Sequence, residues 1–207
     1  MEKWTIPGLE AYAKPIQGLF QYINSHTGMD RNSFLRLSSY CIVRRFDRKT
    51  NFLVPGEIDT HFNLIMQGVV RKYQVAGKKE ITLQLSTEGH FIHSELSFFT
   101  GKPSPCYLET LEPVVLLSLS FDNMNRLFDD MPELNRLARF MVSEMYVKKE
   151  IRDLAHLRLT PRARFLQFVN RHPDMMQRVS QKYIASYLNI KPETFSRLKH
   201  LLREQRS

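Results

Sequence analysis

The segment from Gln181 to Leu198 constrains this chain more than any other, because its spacing suits two short helices that cross steeply across a tight turn. Such a pair needs apolar contacts between the helices, a small residue where the backbones approach, and a turn residue that tolerates a left-handed conformation. Ile184 and Leu188 form one apolar stripe, Ala185 is the small residue, Ile190 plugs the turn, and Phe195 and Leu198 face back from the second helix. Asn189 stands at the turn, where asparagine is the next best choice after glycine for positive φ. Pro192 suits the first turn of the second helix, where its missing N–H leaves no intrahelical bond unmade. A plain two-helix hairpin accounts for these apolar positions but not for the polar ones between them.

Glu193, Arg197 and His200 fall at i, i+4 and i+7, on one helical face. Arginine can donate two hydrogen bonds to guanine, and glutamate can accept one from cytosine, so Glu193, Thr194 and Arg197 are the candidates for reading base edges in a major groove. Ser180, Gln181, Lys191, Lys199, His200 and Arg203 suit phosphates. An exposed intrahelical ion pair between Glu193 and Arg197 is compatible with this, since it would orient the arginine. Charge follows the same segment. Residues 160–207 hold ten Lys or Arg against three Asp or Glu, while the other residues hold 20 against 18. Of the formal net charge of +9, therefore, +7 resides with the bihelical unit, the electrostatic footprint of a polyanion binder.

The 207 residues suit one or two domains, and a hydrophobic content of 43% is enough for a sizeable core. No apolar run approaches the ~20 residues of a membrane span, and no signal-peptide core follows Met1, so a cytoplasmic protein without membrane contact is expected. Two cysteines, Cys41 and Cys106, are too few for a disulfide scaffold or a four-thiolate metal site, and both read as buried strand residues.

Ahead of the bihelical unit, periodicity divides the chain. Residues 9–25 repeat apolar positions with a helical period, and a second short helix is predicted over 30–40. From 41 to 120 the segments are short, alternate as half-buried strands do, and are punctuated by Gly56, Gly68, Gly77, Gly89 and Gly101 at spacings of 9 to 12. A hairpin is expected at Ala76-Gly77-Lys78-Lys79. Regular strands with such turns indicate an antiparallel sandwich, roll or barrel. Helical signals return over 121–131 and then over a long stretch, 132–156, whose stripe includes Leu134, Leu137, Met141, Met145 and Ile151. Tyr146 and Val147 lie on another face of that stretch. A helix with two apolar faces sits between its own domain and a partner, which points to a homodimer.

This order of parts resembles the Crp-Fnr family of bacterial transcription regulators. The resemblance is carried by Gly56-Glu57, Ile65-Met66-Gln67-Gly68-Val69-Val70-Arg71, Gly77-Lys78-Lys79-Glu80, the cassette Gly89-His90-Phe91-Ile92-His93-Ser94-Glu95-Leu96, the long helix and the terminal unit. It implies an α+β chain in three parts: a jelly-roll, cyclic-nucleotide-binding-like β-roll with its preceding helices over 1–131, a dimerisation helix over 132–158, and a helix-turn-helix domain over 159–207. It also implies a homodimer on pseudo-palindromic double-stranded DNA with half-sites ~34 Å apart, an effector-sensing β-roll, and RNA polymerase as a further partner. No catalytic residue set is identified, and no cofactor is implied.

Departures from the family pattern are informative. Cyclic-nucleotide-binding members follow the cassette with an Arg-Ser or Arg-Thr pair that holds the cyclic phosphate, and here the matching pair is Ser104-Pro105. Glu95 matches the ribose ligand, so Glu95, Leu96, Ser104 and Pro105 mark the candidate effector pocket, but without the arginine a buried phosphate lacks its cation. Tight binding of cyclic AMP or cyclic GMP is not expected. An iron–sulfur cluster of the family type needs four cysteines, and His61, His90 and His93 carry no haem-attachment motif. The wing that normally flanks the reading unit is expected to be shortened, with Arg178 and Val179 as remnants of its preceding strand, and no Ser or Thr caps the reading helix at Lys191. The competing class is a cupin-like metal-binding enzyme or sensor using His90, His93 and Glu95, with the helical tail as a protein-interaction module.

Overall fold

The computed structural model describes the backbone of residues 9–204, and the side chains of that span except those of Glu10 and residues 201–204. Two helices, α1 (Ala13–Thr27) and α2 (Arg31–Ser38), precede eight strands. α1 ends at Gly28, whose φ of 72° places it in the left-handed cap position, and Asp30 begins α2 by accepting a hydrogen bond from Ser33 N at 2.8 Å.

The strands are β1 (Cys41–Phe46), β2 (Asn51–Leu53), β3 (His61–Gln67), β4 (Val70–Ala76), β5 (Lys79–Ser86), β6 (Phe91–Ile92), β7 (Tyr107–Thr110) and β8 (Val114–Ser120). They form two four-stranded antiparallel sheets, ordered β1-β8-β3-β6 and β2-β7-β4-β5. The short helix α3 (Glu95–Thr100) interrupts them between β6 and β7. The predicted hairpin joins β4 to β5, with Ala76 paired to Lys79 and Gly77 at φ 61°. Gly68, between β3 and β4, has no alternative: at φ 95° its added Cβ would stand 2.5 Å from Pro113 O.

Between the sheets lie Leu53, Ile65, Val70, Ile92, Leu108, Val114 and Leu116. The outer face of the first sheet is covered too, because Leu64, Met66, Val115 and Leu117 pack against α1, α2 and two later helices. β3 is consequently buried on both faces over Asn63 to Met66, not half-buried as alternation suggested.

Those later helices are α4 (Phe121–Asp130) and α5 (Leu134–Arg158). Ser120 caps α4, accepting from Asn123 N at 3.1 Å. α5 is 25 residues long. Leu134 and Leu137, expected on a dimer face, are instead in the chain's own core, 2% and 5% exposed, because the N-terminal half of α5 lies on the first sheet and α1. Met141 and Met145 are partly buried, and Ile151 is exposed.

Four helices follow: α6 (Pro161–Arg171), α7 (Met175–Arg178), α8 (Gln181–Tyr187) and α9 (Pro192–Glu204). Thr160 caps α6 through Ala163 N with Pro161 in the first turn. Arg178 and Val179 are not strand remnants. Arg178 ends the single-turn helix α7, Val179 is its extended cap, and among the described residues no strand follows β8. Cys106 likewise lies just ahead of β7 rather than within it.

Candidate functional site

The bihelical unit α8–α9 is built as its sequence requires. Asn189 has φ 51°, Ile190 N donates to Ala185 O at 2.9 Å, and Asn189 N donates to Ser186 O at 3.1 Å. This paired pattern satisfies the last carbonyls of α8 and turns the chain sharply into α9. Ile184, Ala185, Leu188, Ile190, Phe195 and Leu198 are all buried, and the Phe165 ring of α6 meets Phe195 edge to face at 5.1 Å. Arg164, 9% exposed, locks the turn from behind, donating to Leu188 O at 2.8 Å, Asn189 O at 3.1 Å and Leu159 O at 2.6 Å. This arginine, part of the basic excess in the sequence, is therefore a structural group directed at carbonyls.

On the outward face of α9, Glu193, Arg197 and His200 are exposed together. Thr194 and Lys199 are half-buried beside them, while Ser180, Gln181 and Lys191 are exposed around the start of α8 and the turn. Glu193 and Arg197 make no ion pair or hydrogen bond among the described residues, which leaves both for an outside partner. The Arg203 side chain, a phosphate candidate, lies outside the described residues.

The unit is not a free appendage. Ser186 Oγ accepts from Thr82 N at 2.9 Å and donates to Glu80 O at 3.2 Å, so α8 covers the outer edge of β5, the last strand of its sheet. Arg71, fully buried in β4, lies 3.8 Å from the ring centres of both Tyr73 in its own strand and Tyr183 in α8. Its Nη2 is 2.6 Å from Glu80 Oε2 and its Nε 3.3 Å from Glu109 Oε2, the latter at ion-pair distance without hydrogen-bond geometry. A cation between two aromatic faces and two carboxylates thus fills the joint. Arg178 closes the other side, reaching Glu88 at 2.8 Å and Glu112 at 2.7 Å. Burial pushes the Glu88 carboxyl up, but hydrogen bonds from Arg178, Thr87 and Gly68 N–H outweigh it and bring it down to about 2. Neither Arg71 nor Arg178 is marked by the sequence, because one sits in strand alternation and the other in a basic run.

The β-roll pocket is arranged differently from its expected form. Ser104 is buried, its hydroxyl donating to Ser94 Oγ and Cys106 O at 3.0 Å each. Glu95, Leu96 and Pro105 are exposed while Ser104 is buried, so the four do not line one interior. Lys72, buried in β4, extends to Glu95, with Nζ 2.7 Å and 2.5 Å from its two carboxylate oxygens, and to His93 O at 3.1 Å. Burial raises the Glu95 carboxyl, but Lys72 overrides it and the net shift is downward. Asp59, 6% exposed, accepts from Ser94 N at 2.7 Å, at the head of α3. Its own carboxyl is shifted up, chiefly by burial, against the pull of that hydrogen bond.

The Asp59 carboxylate accepts from the N–H of Ser94, the residue that caps α3. The cation Lys72 is spent on Glu95, the candidate ribose ligand. The metal constellation also comes apart: His90 is exposed with Nδ1 3.2 Å from Thr87 O, and Glu95 is on Lys72. His93 is enclosed by the rings of Phe62, Phe98 and Phe99 at 4.5, 5.6 and 5.7 Å.

Residues 43–131 match the cyclic nucleotide-binding domain family. No curated protein sequence matches the chain. Solved structures do. The c-di-GMP responsive global regulator CLP of Xanthomonas campestris is 17% identical, with 85% of this chain and 93% of that one covered at a TM-score of 0.67. FixK2 of Bradyrhizobium japonicum, 15% identical, covers 80% and 85% at 0.69, and the Thermus thermophilus catabolite activator protein, 20% identical, covers 86% and 85% at 0.52. The chain shares the fold of these three proteins. An antiparallel β-roll precedes a helical C-terminal region, in the order β1 to α9. Among the described residues no helix is long and apolar enough to cross a membrane.

Proposed function

We propose that this protein is a homodimeric, sequence-specific DNA-binding transcription regulator, not an enzyme, whose β-roll senses something other than cyclic AMP. Residues 1–131 are its sensor, 132–158 its dimerisation helix and 159–207 its helix-turn-helix domain. The observation that carries this reading is the exposed face of α9, where Glu193, Arg197 and His200 stand on a helix fixed by the left-handed Asn189 turn. Glu193, Thr194 and Arg197 read bases, and Ser180, Gln181, Lys191, Lys199, His200 and Arg203 hold phosphates, on a pseudo-palindromic duplex.

With Arg164 and Arg178 both engaged internally, the polyanion footprint narrows to the remaining bases around α8 and α9. Lys182 is among them, its Nζ 4.7 Å above the Tyr183 ring. Random-library selection with purified protein tests the reading directly: a two-fold symmetric motif is expected, and recovery of no motif would overturn it. On the selected duplex, Arg197→Ala should weaken binding by about 1–3 kcal/mol and relax preference at one base pair of each half-site. Lys199→Ala should weaken all sequences alike and shallow the salt dependence. Calorimetry should show no saturable micromolar binding of cyclic AMP or cyclic GMP, because Ser104-Pro105 stands in place of the arginine-containing pair that would hold the phosphate.

A further inference from the structure

A cavity of about 180 Å³ lies outside the β-roll, between the outer face of the first sheet and helices α1, α4 and α5. Its floor includes Leu64 and Leu117, Ile23 closes one end, and Leu127 and Leu137 form the wall opposite. Tyr22 and the Cys41 thiol are the lining side chains that carry a polar group, and burial pushes that thiol up to about 12, so it stays neutral. Glu95, Leu96, Ser104 and Pro105 are not among its walls. We propose that this cavity is a binding site for a small, uncharged, apolar molecule of about the bulk of one aromatic ring.

The argument is one of size and chemistry. An enclosed apolar cavity of roughly 150 Å³ takes up benzene, and this one has a similar volume and apolar lining with one side open to solvent. A charged ligand would be stripped of water with no partner for its charge. A helix of a second chain, about 10–12 Å across, is too wide to enter, although it can lie over the mouth beside half-exposed Val142. Three wall residues, Met124, Met141 and Met145, have flexible side chains that can close around ligands of differing outline. α5 supplies one wall and, further along, donates from Arg152 Nη1 to Leu83 O of β5 at 2.8 Å, beside the edge that α8 grips. An occupant therefore touches the helix that connects sensor to output, and its role as effector rests on the regulator reading above.

Methionine-methyl NMR of the full chain titrated with toluene tests the site. Saturable shifts are expected for Met124, Met141 and Met145, with Met175 of the C-terminal core unmoved, and Ala138→Trp, which places an indole in the cavity, should abolish them. Equal movement of all methionines, no movement of the three, or a response to protein concentration but not to toluene would each overturn the site. The titration contains no DNA. Its failure sinks the site and leaves the regulator reading standing, whereas an intact titration with no operator binding upholds the site and sinks that reading alone.

Discussion

His93 is 1% exposed and neither ring nitrogen has a hydrogen-bond partner. Burial brings its pKa down to about 4, with Glu95 pulling upward against that larger effect and Lys72 adding to it. The unfolded chain takes up this proton near pH 6.5 and the folded chain does not until about 4, so stability falls as pH drops through that interval and then levels off. The shift is worth about 3 kcal/mol in full, of which about 2 kcal/mol is lost between pH 7 and pH 5. His61, His156 and His172 are shifted the same way, chiefly by burial, and add to the slope. Urea unfolding at the two pH values should therefore show His93→Phe with a flatter pH dependence than the parent chain. An unchanged slope would mean that the ring is solvated or partnered after all. Near Gly68, steric exclusion replaces titration: Gly68→Ala should cost on the order of 1–3 kcal/mol, read as a lower urea midpoint, because the added methyl is both left-handed and against Pro113 O.

Among the elements, the edge strand β5 does the most connecting. Its polar backbone edge is met by Ser186 of α8 at Thr82 and Glu80 and by Arg152 of α5 at Leu83. Arg178 reinforces this joint, so Arg178→Ala leaves Glu88 and Glu112 facing each other and should weaken the docking of α8 by about 1–2 kcal/mol. Amide exchange in α8 and β5 would then quicken by about tenfold, with the first sheet unchanged. Nothing in the linear pattern announces this joint. The turn at Asn189 and the core of α8–α9 were legible because local spacing determines them, as was the β4–β5 hairpin. Arg71 and Lys72 were not, since a cation in an alternating strand reads as an outward residue until a tyrosine from α8 or a carboxylate from α3 is brought to it. Arg178 and Val179 misled for a related reason: a single helical turn has no period to read. The pocket was half legible, because the missing arginine is visible in sequence but the Lys72–Glu95 pair and the Asp59 contact to Ser94 join residues far apart in the chain.

In the molecule as a whole, α5 presents two apolar faces with different duties. The face carrying Leu134 and Leu137 is used up in the chain's own core. The other runs through Phe140, Val147 and Leu154, spaced by seven, with Ile151 and Leu157 beside them, and stands 39% to 83% exposed. A stripe of this length is unusual on a surface that meets only water, and the seven-residue repeat is the one that two helices use to pair. In a two-fold pair each substitution acts twice, so Val147→Glu with Leu154→Glu sets four carboxylates into one apolar seam. The expected outcome is a folded monomer by sedimentation, since neither side chain is needed in the core. Each head then binds its half-site alone, and operator affinity should drop by on the order of 10²-fold or more. A variant that remains dimeric would place the interface elsewhere, and a monomer that keeps full operator affinity would show that the heads do not read the site as a pair.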